Sequence, residues 1–390
     1  MINEGLCEKK CVYERIIGAV QTMKIVIISP KNKTVFNFRG DLVKHMISFG
    51  NTVVVTGPNQ DHVDEILALG VSKFIEVPLV KDNTSVIGDL IYCWRLRKVI
   101  KTESPDLVFG YTIKPIIYGS IAARTAGVKK IYAMVTGLGR IYTSNGLKTR
   151  MVRFITNILY KTAFWACDKV IFQNNDDLKQ FVSCRYLQEK KAVKVDGSGV
   201  NMEQFFRTDL PGSPVFLMVG RIIREKGVME YCKAARVVKD KYPHVKFILL
   251  GGFDTSFGAL KQEDLQPYID DGSVEFPGEV KNPLNYYHDA SVYVLPSYYR
   301  EGLPRTILEA MSCARAVITT DWPGCRDAVD DGENGFLIHP KDAKELSMKM
   351  IQLIEDKRLL RQMSEKSYQK CRKTYEVSII NQKMREIIGY

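Results

Sequence analysis

Residues 296–310 read Pro-Ser-Tyr-Tyr-Arg-Glu-Gly-Leu-Pro-Arg-Thr-Ile-Leu-Glu-Ala, and they are the most informative part of the chain. The apolar run Ser291–Leu295 before it predicts a β-strand. A helix is expected to begin near Pro304, because proline suits the first helical turn. The backbone N–H groups of Gly302 and Leu303 would then lie at the helix N-terminus, where an anion such as a diphosphate binds readily.

Two carboxylates flank this predicted anion site. Glu301 lies in the loop and Glu309 lies within the helix. A carboxylate accepts two hydrogen bonds and therefore suits a vicinal diol on a ribose or a hexose. Carboxylates beside a diphosphate site predict a place for a nucleotide sugar.

On both sides of these residues, apolar runs alternate with helical patterns in two successive series, and the first helix is predicted near Gly40–Phe49. The strands predicted for the first series are Lys24–Ile28, Thr52–Val55, Lys73–Val77, Leu107–Gly110, Lys130–Met134, Lys169–Phe172 and Ala192–Asp196. Those of the second series are Pro214–Gly220, Val245–Leu250, Val274–Phe276, Ser291–Leu295, Ala316–Thr319 and Phe336–Ile338. This alternation predicts the α/β class, with two Rossmann-like, doubly wound domains that face each other across a cleft.

The length of 390 residues also favours two domains over one. We predict an N-terminal extension at 1–22 and a Rossmann-like acceptor domain at 23–205. A Rossmann-like nucleotide-sugar domain is predicted at 206–375. The C-terminal helix at 376–390 is expected to cross back to the first domain. The Gly-, Ser- and Pro-containing segment Gly197–Ser213 is the expected linker.

The excess of positive charge lies entirely in the first half of the chain. Residues 1–200 contain 29 Lys and Arg against 17 Asp and Glu, whereas residues 201–390 contain 27 of each kind. One interpretation is a generally basic protein. The other is that the first half faces a polyanion, either an anionic membrane surface or a phosphorylated acceptor. No nucleic-acid partner is predicted.

The pattern of cysteines and the length of the apolar runs predict a cytosolic location. Nine cysteines are scattered singly, at positions 7, 11, 93, 167, 184, 232, 313, 325 and 371. An odd, unpatterned set is typical of reduced thiols in the cytosol, and no second pair matches Cys7 and Cys11 to make a zinc site. No apolar run reaches the roughly 18 residues of a membrane span. The apolar stretch within residues 1–22 is also too short for a secretory signal.

A charged loop follows the first strand of the second series. Residues 220–227 read Gly-Arg-Ile-Ile-Arg-Glu-Lys-Gly, and Gly220 ends the predicted strand. Arg221 offers a bidentate fork and Lys226 a mobile point charge, so both suit a phosphate group. The alternative is an ordinary charged loop. Further along, Gly324 is expected to help shape the donor pocket.

These elements together resemble the retaining glycosyltransferases of family 4, which have the two-Rossmann GT-B fold. The matching segments are Gly-Arg-x4-Lys-Gly at 220–227, Pro-Ser-x3-Glu-Gly-x-Pro-x4-Glu-Ala at 296–310, and the Gly-x2-Asp and Asp-Gly-x2-Gly-Phe pieces at 324–336. The resemblance covers nearly the whole chain from Met23.

The resemblance implies a role for each of four side chains. Glu301 would contact the donor sugar, and Glu309 would hold the ribose. Arg221 and Lys226 would hold the diphosphate of a UDP-sugar donor. Since these cations and the helix N-terminus can neutralise the diphosphate, no metal and no cofactor are expected.

Segments in the first half of the chain indicate a subgroup of this family. Tyr111–Ser120, Thr136–Gly139 and Phe36–Arg39 are similar to bacterial enzymes that extend polyprenyl-diphosphate-linked sugars, such as the N-acetylgalactosaminyltransferases that act on undecaprenyl-diphosphate bacillosamine. The residues implied in acceptor or phosphate binding are Arg39, Thr112, Lys114, Gly137 and Gly139. A glycine loop lets a backbone approach a ligand closely. The alternative for Lys114 is a solvated lysine.

The chain departs from the family pattern at one position. Many members carry a histidine near the loop after the fourth strand, where this chain has Ile113 beside Lys114. The general base is therefore unassigned. Retaining members are thought to react on the front face of the donor, with the leaving phosphate accepting the acceptor's proton, and such a reaction needs no protein base.

The stretch 148–165 mixes basic and large apolar side chains at helical spacing. Lys148, Arg150, Arg153 and Lys161 alternate with apolar residues such as Phe154. A basic amphipathic helix suits a membrane surface. The alternative is a core helix of the first domain with a charged outer face.

The sequence therefore predicts a glycosyltransferase on the cytoplasmic face of the cell membrane. It would move a hexose or an N-acetylhexosamine from a UDP-sugar to a lipid-linked acceptor or a growing surface glycan, with retention of configuration. Two alternatives stay open, a UDP-sugar 2-epimerase of the same fold and an inactive nucleotide-sugar-binding regulator.

Overall fold

The computed structural model describes residues 22–79, 85–143, 146–254 and 259–390. Of the extension predicted at 1–22, residues 1–21 with Cys7 and Cys11 lie outside the described residues. The described chain forms two parallel sheets with helices between the strands, so the predicted α/β class is confirmed. Each predicted strand overlaps a strand of the structure.

The first sheet has seven strands. They are β1 (Lys24–Ile28), β2 (Thr52–Gly57), β3 (Lys73–Glu76), β4 (Leu107–Tyr111), β5 (Lys130–Val135), β6 (Lys169–Phe172) and β7 (Ala192–Lys194). Their order is β3-β2-β1-β4-β5-β6-β7. In the parallel register, Ile27 lies opposite Val55 of β2 and Phe109 of β4. The strand order reverses between β1 and β4, and ligands bind at the carboxyl ends of strands at such a point.

The second sheet has six strands. They are β8 (Val215–Val219), β9 (Lys246–Leu250), β10 (Glu275–Gly278), β11 (Val292–Leu295), β12 (Ala316–Thr320) and β13 (Gly335–Ile338). Their order is β10-β9-β8-β11-β12-β13. Here the order reverses between β8 and β11, which pair in parallel. The loops that follow these two strands carry Gly220, Arg221 and Lys226 after β8 and Glu301, Gly302 and Leu303 after β11.

Most helices of the described chain lie between these strands, and the last three follow β13. They are α1 (Asn32–Ser48), α2 (Val63–Leu67), α3 (Val86–Glu103), α4 (Ser120–Ala126), α5 (Arg140–Thr143), α6 (Leu147–Ala166), α7 (Asn175–Ser183), α8 (Val228–Lys241), α9 (Gln262–Asp270), α10 (Leu284–Asp289), α11 (Arg305–Ser312), α12 (Ala343–Glu355), α13 (Lys357–Lys370) and α14 (Val377–Ile388). Among the described residues, none of these helices combines the length and apolar character needed to cross a bilayer.

Two helix boundaries differ from the prediction. The first helix was expected at Gly40–Phe49 but begins at Asn32, because buried Asn32 and Arg39 place polar residues on its inner face and hide the amphipathic pattern. Helix α11 begins at Arg305. Pro304 is its N-cap, with an extended backbone (φ −63°, ψ 115°), and so stands just outside the first turn.

The strands are almost continuous apolar runs, as expected for parallel sheets that are covered on both faces. In β1, Ile25 to Ile28 are fully buried. In the second sheet, Phe216 of β8 stacks on Phe247 of β9 with 5.1 Å between ring centroids. Burial on both faces fixes the strands, so the loops at their carboxyl ends are held on a rigid frame.

The chain divides into two compact units. The first comprises the described residues up to Ala133 together with Thr162–Lys169 and Met384–Tyr390, and the second comprises Met134–Lys161 and Val170–Lys383. Within the first unit, His45 Nδ1 lies 3.0 Å from the Tyr390 hydroxyl. The domain boundaries that we predict from the sequence stay a prediction.

Candidate active site

Two cations and one carboxylate meet after β8 and β11 in the second unit. The Lys226 ammonium forms an ion pair with the Glu301 carboxylate, and both side chains are largely buried. Arg221 Nη1 lies 2.8 Å from Asp254 Oδ2, and its guanidinium lies 5.4 Å from the centroid of the Tyr299 ring. The structure therefore brings together the three residues that the sequence placed in one site.

The loop after β11 is fixed to the turn after β8 by hydrogen bonds. The Tyr298 N–H donates to the Glu225 carbonyl over 2.8 Å. The Ser297 hydroxyl lies 3.3 Å from the same carbonyl and 3.4 Å from Glu301 Oε1. The two loops therefore form one hydrogen-bonded unit, which holds the backbone of the Glu301 loop beside the turn that carries Lys226.

Glu309 is buried on α11 beside two side chains that the sequence did not point to. The Tyr287 hydroxyl donates to Glu309 Oε2 over 2.9 Å, and Arg305 Nε donates to Oε1 over 3.2 Å. Burial raises the pKa of the Glu309 carboxyl, although Arg305 and Tyr287 act in the opposite direction. Each oxygen thus already accepts one hydrogen bond. The predicted contact with a ribose diol stays a prediction, and it would use the remaining lone pairs.

Gly302 is packed between two other glycines. A Cβ on Gly324 would lie 2.5 Å from the Gly302 carbonyl oxygen and 2.6 Å from that of Glu301. On the other side, a Cβ on Gly137 would lie 2.5 Å from the Gly302 nitrogen. Both glycines have positive φ, of 84° and 104°. Any side chain at either position would therefore displace the Glu301 loop.

The glycines at 137 and 139 contact protein backbone in this structure. The Gly139 N–H donates to the Arg300 carbonyl over 3.0 Å, and the Cβ position of Gly137 is 2.6 Å from the same oxygen. The sequence predicted that this loop allows close approach to a ligand. The close approach that the structure shows is to residues 300–302, and acceptor or phosphate binding by this loop stays a prediction.

The other predicted donor-side residues lie at the ends of the strands and helix. The Gly220 N–H donates to the Leu250 carbonyl over 2.9 Å and so extends the pairing of β8 with β9. Leu303 is buried, and its side chain packs against the backbone of Gly197. Diphosphate binding by the Gly302 and Leu303 N–H groups stays a prediction.

Three residues that the sequence analysis missed hold the Glu301 loop. The Asn174 amide donates to the carbonyls of Glu301 and Gly302, at 3.0 Å in each case. Arg300 Nη2 donates to Asp177 Oδ1 over 2.6 Å. Asn174 and Asp177 are nearly inaccessible to solvent. The spacing Asn-x-x-Asp signals a helix start, and Asn174 does cap α7, but nothing in the sequence links it to residues 300–302.

In the first unit, Thr112 directly follows β4, and Arg39 contacts Tyr111, the last residue of that strand. Buried Arg39 lies over the Tyr111 ring at 5.3 Å from its centroid. The Tyr111 hydroxyl lies 2.7 Å from Ser29 Oγ and 2.9 Å from Thr34 Oγ1. Thr112 has φ of 67°, a strained conformation for a threonine. Such strain at a strand's carboxyl end is typical of functional sites.

Lys114 is engaged with helix α3. Its ammonium lies 2.8 Å from Asp89 Oδ1, and the Tyr118 hydroxyl donates to Asp89 Oδ2 over 2.8 Å. Both partners of the ion pair are less than one-fifth exposed. The structure thus does not show the solvated lysine that was the alternative for Lys114. The segment after Lys114, Pro115–Gly119, is a π-helical turn, a form that is often found at functional sites.

Two family models match the chain. Residues 24–174 match the family described as glycosyl transferase 4-like, and residues 201–370 match glycosyl transferases group 1. The chain is a glycosyltransferase. The resemblance to family 4 glycosyltransferases that the motifs at 220–227 and 296–310 indicate is thereby confirmed, whereas the retaining mechanism stays a prediction.

Curated relatives cover most of this glycosyltransferase. It is 28% identical to the N,N'-diacetylbacillosaminyl-diphospho-undecaprenol α-1,3-N-acetylgalactosaminyltransferase of Campylobacter jejuni over 93% of this chain and 97% of that one. It is also 28% identical to the UDP-Gal:α-D-GlcNAc-diphosphoundecaprenol α-1,3-galactosyltransferase of Escherichia coli, over 77% and 79% of the two chains.

Solved structures show the GT-B fold. Anabaena HepE in complex with UDP-glucose superposes with a TM-score of 0.76, at 18% identity over 94% of this chain and 99% of that one. Sucrose-phosphate synthase from Thermosynechococcus elongatus superposes with a TM-score of 0.77, at 19% identity over 93% and 98%. The predicted GT-B fold is therefore confirmed.

Proposed function

We propose that this glycosyltransferase moves a hexose or an N-acetylhexosamine from a UDP-sugar to a polyprenyl-diphosphate-linked acceptor or a growing surface glycan, with retention of configuration. The observation that carries the proposal is the buried Lys226–Glu301 ion pair beside Arg221. The names of the two relatives support the acceptor class, and one of them names a UDP-sugar donor.

The ion pair suggests how the site would receive its donor. The diphosphate would take the Lys226 ammonium, and the Glu301 carboxylate would then be available to a sugar hydroxyl. As the reaction proceeds, the bond between the anomeric carbon and the diphosphate oxygen breaks. A bond to the acceptor hydroxyl oxygen forms on the same face, and the hydroxyl proton passes to the departing diphosphate. Lys226 and Arg221 would stabilise the charge that develops there.

We also propose that the transfer is independent of a metal ion and of any other cofactor. The support is the placement of two cations, Arg221 and Lys226, at the carboxyl end of β8, where a diphosphate would develop its charge. Cations that are held in place before the reaction need no reorganisation when charge develops. Transfer at full rate in the presence of a chelator is the expected result.

A peripheral position on the cytoplasmic face of the membrane is part of the proposal. Helix α6 leaves Met151, Phe154 and Ile155 exposed by 60%, 64% and 50% of their surfaces. Exposed apolar residues at this spacing support the membrane interpretation of stretch 148–165 over the core-helix one. The excess positive charge of residues 1–200 would add attraction to anionic lipids.

The test is a screen of UDP-sugars with polyprenyl-diphosphate-linked acceptors, read by mass spectrometry of the lipid-linked product. Proton NMR of the new anomeric centre reports its configuration. We expect one UDP-sugar to give an α-linked product, and Lys226→Met to abolish most of the transfer. Epimerised UDP-sugar without transfer would favour the 2-epimerase, and binding without turnover would favour a regulator.

A further inference from the structure

Helix α3 (Val86–Glu103) presents two contrasting faces. Its inner face is formed by four buried side chains, Tyr92, Leu96, Ile100 and Glu103. Its outer face carries five apolar side chains whose exposed fractions lie between 44% and 72%, namely Val86, Ile87, Leu90, Ile91 and Trp94.

The five apolar side chains form one patch on the helix. At about 100° per residue, they fall within a sector of roughly 140° that is opposite the buried side chains. Single exposed apolar residues are normal on a protein surface, but a contiguous apolar patch is typical of a binding surface. We call these five residues the α3 patch.

Cations continue the same face toward the C-terminal end of the helix. Arg97, Lys98 and Lys101 fall within the angular sector of the α3 patch, one to two turns further along. The acidic residues of the helix do not offset them. Asp89 and Glu103 are both engaged in ion pairs with lysines of other elements. The outer face is therefore apolar in its first half and cationic in its second.

Trp94 stands at the boundary between the two halves. Its side chain is 61% exposed, and the Lys98 ammonium lies 5.9 Å from the centroid of its ring. Tryptophan combines a large apolar ring with one N–H donor, and it is enriched where hydrocarbon meets lipid headgroups. Along the helix, the apolar residues are followed by Trp94 and then by the cations. One leaflet of a bilayer has the same order, from hydrocarbon through the interface to the headgroups.

We propose that the outer face of α3 docks on an anionic lipid bilayer. The α3 patch enters the boundary between headgroups and acyl chains, while Arg97, Lys98 and Lys101 contact lipid phosphates. A protein partner would need an apolar groove that ends in acidic side chains, whereas an anionic leaflet offers both features along its whole surface. The charge pattern therefore favours lipid as the occupant.

The docked helix is tied to the acceptor-side residues of the first unit. Asp89 on the opposite side of α3 binds Lys114 and Tyr118, which follow β4. Docking would thereby set the distance of this segment from the membrane. The inference adds an apolar contact to the membrane attachment proposed above and rests on that proposal, so the experiments below use separate variants for the two.

Trp94 is a natural probe of the docking. The chain has three tryptophans, so Trp165→Phe with Trp322→Phe leaves Trp94 as the only tryptophan. With vesicles of phosphatidylcholine and phosphatidylglycerol, we expect a blue shift of its emission, protection from acrylamide and quenching by brominated acyl chains. Protein that sediments with these vesicles without any change in Trp94 emission would overturn the inference while leaving the proposed membrane attachment intact.

Negative charges that are introduced into the α3 patch by substitution test the same face through vesicle binding. Leu90→Glu with Ile91→Glu should weaken binding to anionic vesicles by about tenfold or more, since two apolar contacts are lost and two negative charges are added. The matched control is Val237→Glu with Met348→Glu, which changes two residues of similar exposure on α8 and α12. Both double variants should keep the wild-type unfolding midpoint.

Activity separates this inference from the proposed function. The Leu90 and Ile91 variant should lose transfer to a long-chain acceptor in vesicles and keep transfer to a short-chain, water-soluble diphosphate acceptor. Loss with both acceptors would overturn the docking role. Failure of wild type to use any lipid-linked acceptor would instead overturn the proposed function. A wild-type dimer that this variant dissociates would show that a second copy covers the face, and this would also overturn the inference.

Discussion

Arg300 and Asp177 form an ion pair of 2.6 Å between residues that are 123 positions apart in the chain. Asp177 is almost fully buried, and Arg300 stands next to Glu301. Arg300 Nη2 also lies 2.8 Å from Gln180 Oε1. The Glu301 loop is therefore held by α7 as well as by the turn after β8, and its geometry depends on a residue that carries a titratable proton.

The ion pair predicts an acidic limb in the activity profile. Burial raises the pKa of the Asp177 carboxyl above 3.8, although Arg300 acts in the opposite direction. As the pH falls through the raised value, the carboxylate is neutralised and its hold on Arg300 weakens. Transfer should therefore decline at a higher pH than an ordinary aspartate would give. Asp177→Asn should be slower at neutral pH and lack this limb in its pH–rate profile.

Protonation of Asp177 should raise the free energy of unfolding, although it lowers the activity. The folded state binds the Asp177 proton more tightly than the unfolded state does. The stabilisation from this bound proton is therefore fully present below pH 3.8, and it is lost as the pH rises through the raised pKa. On acidification, urea unfolding should show wild type gaining stability relative to Asp177→Asn. A relative loss that parallels the activity would contradict this assignment.

Replacement of Asn174 should lower kcat by more than the loss of a helix cap alone would. Asn174→Ala removes the cap of α7, which is worth about 1 kcal/mol of unfolding free energy. It also removes the donor to the Glu301 and Gly302 carbonyls. We expect kcat to fall about ten- to a hundredfold, because a small displacement of a positioning loop has a large effect on rate.

The matched control for Asn174 is Asp356→Ala. Asp356 caps α13 by accepting from the Leu359 N–H over 2.8 Å, and the structure places it outside the Glu301 loop. Both variants should lose similar stability, and only Asn174→Ala should lose activity. Equal kcat values in the two variants would remove Asn174 from the positioning of the loop.

The strands and the principal charged residues could be predicted, because their signals are local. Apolar runs such as Lys24–Ile28 mark buried strands, and the motif spacing places Arg221, Lys226 and Glu301 at strand ends. The start of α1 could not be predicted, because Arg39 breaks its apolar pattern and is buried against Tyr111.

The contacts that hold the site in place could not be predicted from the sequence either. The contacts of Asn174 and Gly137 with residues 300–302 join positions more than a hundred residues apart. A glycine signals an unusual backbone or a close approach, but it does not say what approaches. For Gly137 the sequence suggested a ligand, and the structure shows the backbone of Gly302.

Glu309 is expected to contribute to UDP binding. If its carboxylate accepts from the ribose diol, Glu309→Ala loses a charged hydrogen bond of about 1.5–3 kcal/mol, and the UDP dissociation constant should rise roughly ten- to a hundredfold. Calorimetry measures this directly. Tyr287→Phe is the control, since it removes one neighbour of Glu309 and leaves the carboxylate in place. An unchanged constant in a folded Glu309→Ala protein would place the ribose elsewhere.

Lys226 and Arg221 should act on turnover more than on donor affinity. Charge develops on the diphosphate as the glycosidic bond breaks, so Lys226→Ala and Arg221→Ala should each lower kcat more than they raise KM. A change in KM alone would indicate uniform binding. We also expect EDTA to leave the rate unchanged, and a strict requirement for Mn²⁺ would contradict the metal-independent mechanism.

Helix α6 should provide the electrostatic part of membrane attachment. Arg150 and Lys161 are exposed, whereas Arg153 donates to the Ile141 carbonyl over 2.9 Å and stacks on Tyr142, so its replacement would disturb the fold. A basic residue near an anionic surface contributes about 1 kcal/mol. Arg150→Gln with Lys161→Gln should therefore lower vesicle affinity by roughly thirtyfold at low salt, and by less as salt screens the attraction.

The control for α6 is a pair of lysines in the electroneutral half of the chain. Lys233 and Lys246 are exposed on α8 and β9, and replacing both by Gln removes the same charge. If attachment follows the position of the charge, this variant should sediment with anionic vesicles as wild type does. If both double variants lose affinity equally, only the net charge matters. If the Arg150 and Lys161 variant instead sediments with anionic vesicles as wild type does, α6 is not the docking face, and the excess charge of residues 1–200 is better explained by a phosphorylated acceptor.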